Sequence, residues 1–203
     1  MLVFNGFEDN IALTKPVAAV GSFDGVHLGH QRLLECLRDT AQNVGGQSVV
    51  VTFHPHPRQV LRPGSGFFTI NTLEENIRKM ESAGIDAVIV IPFTLAFSKL
   101  TYVEFLEQYL IGRLHIHTLL MGPHHTMGHG GGGHVNNIEA LCRKHGISVV
   151  EIPEFQAKDI EVRSCRIREL IAQRQFDKAD ELLGYHYTPQ PSTQETSNNT
   201  AEL

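Results

Sequence analysis

Five short apolar stretches punctuate this 203-residue sequence, at 17–20, 48–53, 87–91, 118–121 and 148–152. Each is a continuous run rather than an alternating one, and those at 48–53 and 148–152 are rich in β-branched residues, the pattern of strands covered on both faces. Between them apolar residues return every three or four positions. Leu33, Leu34, Leu37 and Ala41 share one helical face; Leu73, Ile77 and Met80 share a second; Phe105, Leu106, Tyr109 and Leu110 share a third. Ile138 with Leu141, then Ile167, Leu170 and Ile171, predict two further helices, and 176–183 predicts a short last one closed by Gly184-Tyr185. Start signals agree: Thr72 with Glu75, Thr101 with Glu104 and Asn136 with Glu139 read as capping boxes, and Ser164 as an N-cap. Gly84 and Gly146 supply two of the stops. Residues 1–16, ending at Lys15-Pro16, read as an edge strand or lead-in. Strands alternating with helices predict an α/β fold with a doubly wound, mostly parallel five-stranded sheet, whose ligand sits at the carboxyl ends of the strands. One domain over 1–187 and a disordered polar tail over 188–203, rich in Pro, Ser, Thr and Asn, complete the expectation.

Composition narrows the class. Hydrophobic content of 41% and charged content of 19% are ordinary for a globular domain. A net charge of −5 argues against nucleic acid or an anionic membrane as partner, so an anionic ligand has to be met by local groups. The three cysteines, Cys36, Cys142 and Cys165, are scattered without a C-x-x-C pair, which points to a reducing compartment and to no thiolate metal site. No signal-like or membrane-length apolar run occurs, and a cytoplasmic location is expected.

The candidate chemistry gathers after the first strand, in Gly21-Ser22-Phe23-Asp24-Gly25-Val26-His27-Leu28-Gly29-His30. A strand, a Gly-rich turn and a helix start direct backbone N–H groups and the positive end of a helix dipole at one spot, which attracts phosphate. His27 and His30 flank that spot, and imidazoles there can donate hydrogen bonds to a phosphorus centre gaining negative charge. The spacing is neither a helical H-x-x-x-H zinc pair nor a Walker A loop.

The segment resembles the HxGH-type nucleotidylyltransferases and, more closely, the FMN adenylyltransferase module of bacterial bifunctional riboflavin kinase/FAD synthetases. Further stretches carry the resemblance: Thr52-Phe53-His54-Pro55-His56-Pro57 resembles the family's T-F-x-P-H-P, 92–98 its P-F-T-x-x-F-(A/S), and Ser164, Ile167 and Arg168 its S-S-T-x-I-R, with Arg163 and Cys165 in place of a serine and the threonine. The chain's close at 182–187 is similar too. Gly122 and Gly128 match the ends of the family's G-x-D-F-x-F-G, whose acid and phenylalanines are replaced by His124, His125 and Met127.

The resemblance implies a Rossmann-like nucleotidylyltransferase fold and transfer of AMP from ATP to FMN, giving FAD and pyrophosphate by direct in-line attack. It implies His27, His30, Ser164 and Arg168 as catalytic residues. It implies Gly21, Phe23, Asp24, Gly25, Gly29, Thr52, His54, His56, Pro57, Gly122, Gly128 and Arg166 as binding residues. Mg²⁺ would arrive with ATP, held chiefly by substrate oxygens and by no protein metal site; Asp24 reads as a ligand or a turn-stabilising carboxylate. No riboflavin kinase domain follows residue 187, so a separate kinase is expected to supply FMN. Phe93 and Phe97 read as core residues rather than as walls of a flavin site. The loop from Gly122 to His134 reads as a Gly-rich lid over triphosphate, with metal capture by His124, His125, His129 and His134, or a plain solvated loop, as alternatives. Two other functions stay open: a related transferase for another phosphorylated acceptor, and a non-catalytic nucleotide- or flavin-binding module.

Overall fold

The computed structural model describes residues 1–7, 11–122, 126–153, 156–157 and 160–189. Its centre is a sheet of six strands, all parallel: β1 (Leu2–Asn5), β2 (Val17–Val20), β3 (Ser48–His54), β4 (Ala87–Pro92), β5 (Thr118–Met121) and β6 (Ser148–Glu151), in the order β1-β4-β3-β2-β5-β6. The sixth strand is the lead-in, which pairs Leu2 to Asn5 with Ala87 to Val90 at one edge. A four-residue strand with an exposed pattern carries too little apolar signal to be told from coil.

Alternate residues of each strand feed opposite faces. Val17 and Ala19 with Val50, Val88 and Val90 meet Leu34, Leu37 and Ala41 of α1 (Leu28–Val44) and Met80 of α3 (Leu73–Ser82). Ala18 and Val20 with Val49, Val51, Ile89 and Leu119 meet Phe105, Leu106 and Leu110 of α4 (Tyr102–Phe105) and the π-helical turns Leu106–Ile111 that continue it. Ile138 and Cys142 of α5 (Val135–Lys144) join that second face. The short α2 (Pro57–Leu61) separates β3 from α3. A third cluster joins α6 (Ser164–Ala172) and α7 (Phe176–Leu183) to Ile70, through Ile167, Leu170, Leu182 and Leu183. A two-stranded antiparallel pair, β7 (Gln156–Ala157) and β8 (Ile160–Glu161), precedes α6.

Some helix starts differ from the sequence pattern. Thr72 and Thr101 close complete capping boxes with Glu75 and Glu104. Asn136, in contrast, lies inside α5, which His134 precedes as cap without a side-chain bond. Ser164 is the first residue of α6 rather than its N-cap, and its hydroxyl donates to the Asp24 carbonyl at 3.2 Å instead of capping its own helix. A partner 140 residues away outcompetes a local one because Asp24 lies against this end of the helix. After β3 the chain turns into α2, with Pro57 as its first residue and the His56 ring as cap.

Candidate active site

From β2 the chain moves outward through β3 to β4, then crosses back to place β5 on the other side of β2. The strand order therefore reverses beside β2, and open parallel sheets hold ligands at such a switch point. A cleft of about 930 Å³ lies there, and Gly21 and Gly122, which follow the ends of β2 and β5, are among its lining residues.

Its floor is the turn between β2 and α1. Phe23, Gly25 and Val26 all take positive φ, at 47°, 81° and 36°. For phenylalanine and β-branched valine this is strained backbone. The turn leaves His27 in extended conformation as the N-cap of the 17-residue α1, its Nδ1 accepting the His30 N–H at 3.3 Å. A neutral ring whose Nδ1 accepts carries its proton on Nε2 and so becomes a donor. The His30 ring stacks on His27 at 3.7 Å between centroids, 14° from parallel, with Phe23 5.0 Å away. A Cβ on Gly29 would lie 3.3 Å from the His27 ring, so glycine keeps that packing open.

Burial holds both rings neutral. It pulls His27 down to about 4, with the Arg168 charge adding to the effect, and pulls His30 well below its ordinary value, helped by His27. The buried Nδ1 of His30 has no hydrogen-bond partner among the described residues, the kind of unsatisfied group that collects at functional sites.

Arg168 sets the charge of the cleft. Its Nη1 donates to Asp24 Oδ2 at 2.7 Å, with side-chain exposures of 12% and 3%. Asp24 Oδ1 accepts the N–H groups of Ile70 at 2.9 Å and Asn71 at 3.4 Å. Desolvation pushes the Asp24 carboxyl above its usual range, and Arg168 and the two N–H groups pull it back only in part. With both carboxylate oxygens occupied, Asp24 stabilises the turn and is not disposed to ligate a cation. The guanidinium lies over the Phe67 ring at 4.7 Å; Arg58 approaches the same ring at 5.6 Å, and the His56 ring lies 4.6 Å from it at a tilt of 34°. His56 is likewise lowered to about 4, by burial and then by the two arginines. The other end of the cleft is aromatic: Phe53, Phe93, Phe97 and Phe105 line it in tilted and edge contacts 5.6 to 6.0 Å apart. Phe93 and Phe97 are thus half-buried cleft walls as well as packing residues, against the core assignment made from their sequence context.

The sequence model of the FAD synthetase family matches residues 10–166. The chain belongs to the FAD synthetase family. Bifunctional riboflavin kinase/FMN adenylyltransferases of Listeria monocytogenes and Bacillus subtilis are each 34% identical to it over 175 residues, covering 85% of this chain and 54% of theirs. The chain spans about half the length of the curated relatives it matches. A crystal structure titled as a macrolide-efflux protein from Streptococcus pneumoniae superposes with a TM-score of 0.80 at 25% identity, over 91% of this chain and 60% of that one. Pantothenate synthetase from Thermus thermophilus, at 0.51 and 14% identity over 91% and 82%, shares the fold.

Of the residues expected to form this family's site, Gly21, Phe23, Asp24, His27, Gly29 and His30 line the cleft, as do His56, Pro57, Gly122, Gly128, Ser164 and Arg168. Four lie elsewhere. Gly25 sits beneath the turn against Ile70; Thr52 is buried and donates to the Ser22 carbonyl at 3.2 Å. His54, at the end of β3 and joined to Pro55 by a cis bond, is exposed. Arg166 is exposed and pairs with Glu169 at 3.1 Å; two helical positions from Arg168, it projects from the other side of α6.

The loop after β5 is in part a fixed wall. Met127 is buried and bridges Gly133, and Gly128, at φ 80°, packs where a Cβ would collide with the Tyr102 backbone. His129 Nδ1 lies 3.2 Å from the Ser98 carbonyl. His124 and His125 lie outside the described residues, among which no group of three or more His, Cys, Asp and Glu side chains is placed to hold a metal ion. Sequence reasoning missed Phe53, Phe67, Asn71 and Tyr185. Only their partners across the fold give them a place near the site, so no local pattern marks them.

Proposed function

We propose that the chain is an FMN adenylyltransferase, carrying AMP from ATP to FMN in the cytoplasm and releasing FAD and pyrophosphate. The observation that carries the reading is the stacked, neutral His27–His30 pair at the N-terminus of α1, at the switch point of a FAD synthetase family sheet, with Arg168 on one side and an aromatic wall on the other. Curated relatives of this half-length module carry FMN adenylyltransferase in their names.

In this scheme an FMN phosphate oxygen attacks the α-phosphorus of ATP, and the bond from that phosphorus to the bridging oxygen breaks in line. The oxygens of the transferring group gain charge. The N–H of His27 and the first N–H groups of α1 meet that charge as fixed dipoles, without reorganising at the moment of reaction. Ring neutrality serves this purpose, since a neutral donor binds the ground state less strongly than an imidazolium would. Arg168 and the N-terminus of α6 meet the departing pyrophosphate. Phe53, Phe93 and Phe97 offer the apolar faces that a flat tricyclic ring requires. Mg²⁺ enters as part of the Mg·ATP substrate; the acid nearest the site, Asp24, is fully engaged.

The test is FAD formation from ATP, Mg²⁺ and FMN by purified protein, followed chromatographically, with His27→Ala alongside. FAD made by the wild type and lost in the variant is the expected result. Pyrophosphate released only with a different phosphorylated acceptor would replace FMN in this reading. ATP binding without turnover on any acceptor would overturn it in favour of a binding module.

A further inference from the structure

The strained turn that carries His27 is held from three remote parts of the chain. Phe23 and Val26 at positive φ cost conformational energy that the turn's own few residues cannot recover, so the surroundings must fix it. Asp24 is fixed by Arg168, Ile70 and Asn71. The Val26 carbonyl accepts from Gln31 Nε2 at 2.9 Å, and the same amide donates to the Leu183 carbonyl at 2.8 Å, tying the turn to the end of α7.

The third hold is Tyr185, beyond the residues matched by the family model. Its hydroxyl donates to the Gly25 carbonyl and lies 2.8 Å from Asn71 Nδ2. Direction follows from chemistry: an amide NH₂ can only donate, so the phenol oxygen is its acceptor and the single phenol proton is left for Gly25. Asn71, 6% exposed, is itself fixed, its amide reaching Asn76 Oδ1 at 3.3 Å and its N–H reaching Asp24. Lys79 lies over the outer face of the Tyr185 ring at 3.2 Å from its centroid. The chain Asn76–Asn71–Tyr185–Gly25 therefore runs from α3 to the peptide two residues before His27.

We propose that Tyr185 is a positioning residue of this site, whose hydroxyl, oriented by Asn71, holds the strained turn in the one conformation that packs His27 on His30. The proposal rests on the adenylyltransferase reading for its kinetic consequence but not for its structural one. Loss of the phenol proton frees the Gly25 carbonyl and lets the turn relax, so His27 spends part of its time out of register and exposed to water. A misplaced donor lowers kcat more than it weakens substrate binding.

The experiment compares wild type with Tyr185→Phe, Asn71→Ala and Tyr187→Phe, the last a matched control whose ring stacks on Phe176. Two readouts are taken: kcat and KM for FAD formation well below the unfolding temperature, and NMR titration of the His27 imidazole, which needs no activity. Tyr185→Phe and Asn71→Ala should lower kcat about tenfold with KM for ATP within about twofold, while Tyr187→Phe stays at wild type. In both network variants the His27 titration midpoint should rise from about 4 toward its ordinary value, as water reaches a ring that is stacked on His30 and feels the Arg168 charge. An unmoved His27 midpoint in Tyr185→Phe overturns the proposal. So does a thermal shift in that variant with kcat intact, which is the mark of a merely structural tyrosine. Absence of FAD with the wild type tells against the adenylyltransferase alone, and the titration still decides the role of Tyr185. Should Tyr185→Phe fail to fold, Asn71→Ala decides the matter through the same two readouts.

Discussion

Acid should unfold this protein through His27, and the effect can be sized. The ring titrates at about 4 when folded and near 6.5 when the chain is unfolded. Between those values the unfolded state binds a proton that the folded state refuses, so stability falls as pH drops from 6.5 toward 4. The full displacement is worth about 3 kcal/mol, with about 2 kcal/mol already gone at pH 5. That is a sizeable share of the roughly 5–15 kcal/mol that holds a domain together. His27 is 5% exposed, so solvent screens little of the effect. His30, displaced in the same direction and stacked at 3.7 Å, prevents the pair from sharing the load, because a second charge there would repel the first. The perturbation is His27→Asn, which keeps a side-chain acceptor for the His30 N–H while removing the titration. Urea unfolding of both proteins at pH 7, 6, 5 and 4.5 reads the contribution of His27 together with its coupling to His30, since the titrating groups away from this pair appear in both curves. The asparagine variant should lose about 2 kcal/mol less than wild type between pH 7 and 5. Parallel stability curves over that range would refute the reasoning, and with it the claim that the His27 ring stands neutral in the folded protein.

Three further outcomes follow from the same geometry. Asp24→Asn leaves the largely buried Arg168 facing an amide, and should cost about 3–5 kcal/mol, seen as a fall of roughly 6–20 °C in Tm by differential scanning calorimetry. Gly128→Ala must displace the Tyr102 backbone and adopt a disfavoured φ, so the 127–133 wall should detach and become cleavable in limited proteolysis at concentrations of protease that spare the wild type. Arg166→Ala removes only a surface pair with Glu169, and the kcat/KM for ATP should stay within about twofold of wild type, whereas Arg168→Ala should lower it by more than about a hundredfold.

The strands and helices were legible because they follow from side-chain periodicity, a local property. Ser48 to Thr52 and Ala87 to Ile91 are buried on both faces and so read as continuous, mostly apolar runs, and the Thr72 and Thr101 caps sit beside their own partners. The glycine–histidine turn was legible for the same reason: its spacing fixes a strand end, a tight turn and a helix start within ten residues. Local reasoning failed where a distant group made the stronger contact. Ser164 leaves its own helix end for the Asp24 carbonyl, Phe93 and Phe97 turn to the cleft between β-strand ends, and Arg166 is separated from Arg168 by the geometry of one helix face.

The class of fold, the end of the sheet that holds the site and the imidazole pair at its floor each depend on residues that are neighbours along the chain, and the order of amino acids was enough to place them. How that pair is tuned came from the closed fold. The neutrality of His27 comes from burial by segments far away, the orientation of Arg168 from Asp24 and Phe67, and the strained turn from Asn71 and Tyr185. Desolvation and long-range hydrogen bonds depend on which surfaces meet, and that is settled only when the chain has closed on itself.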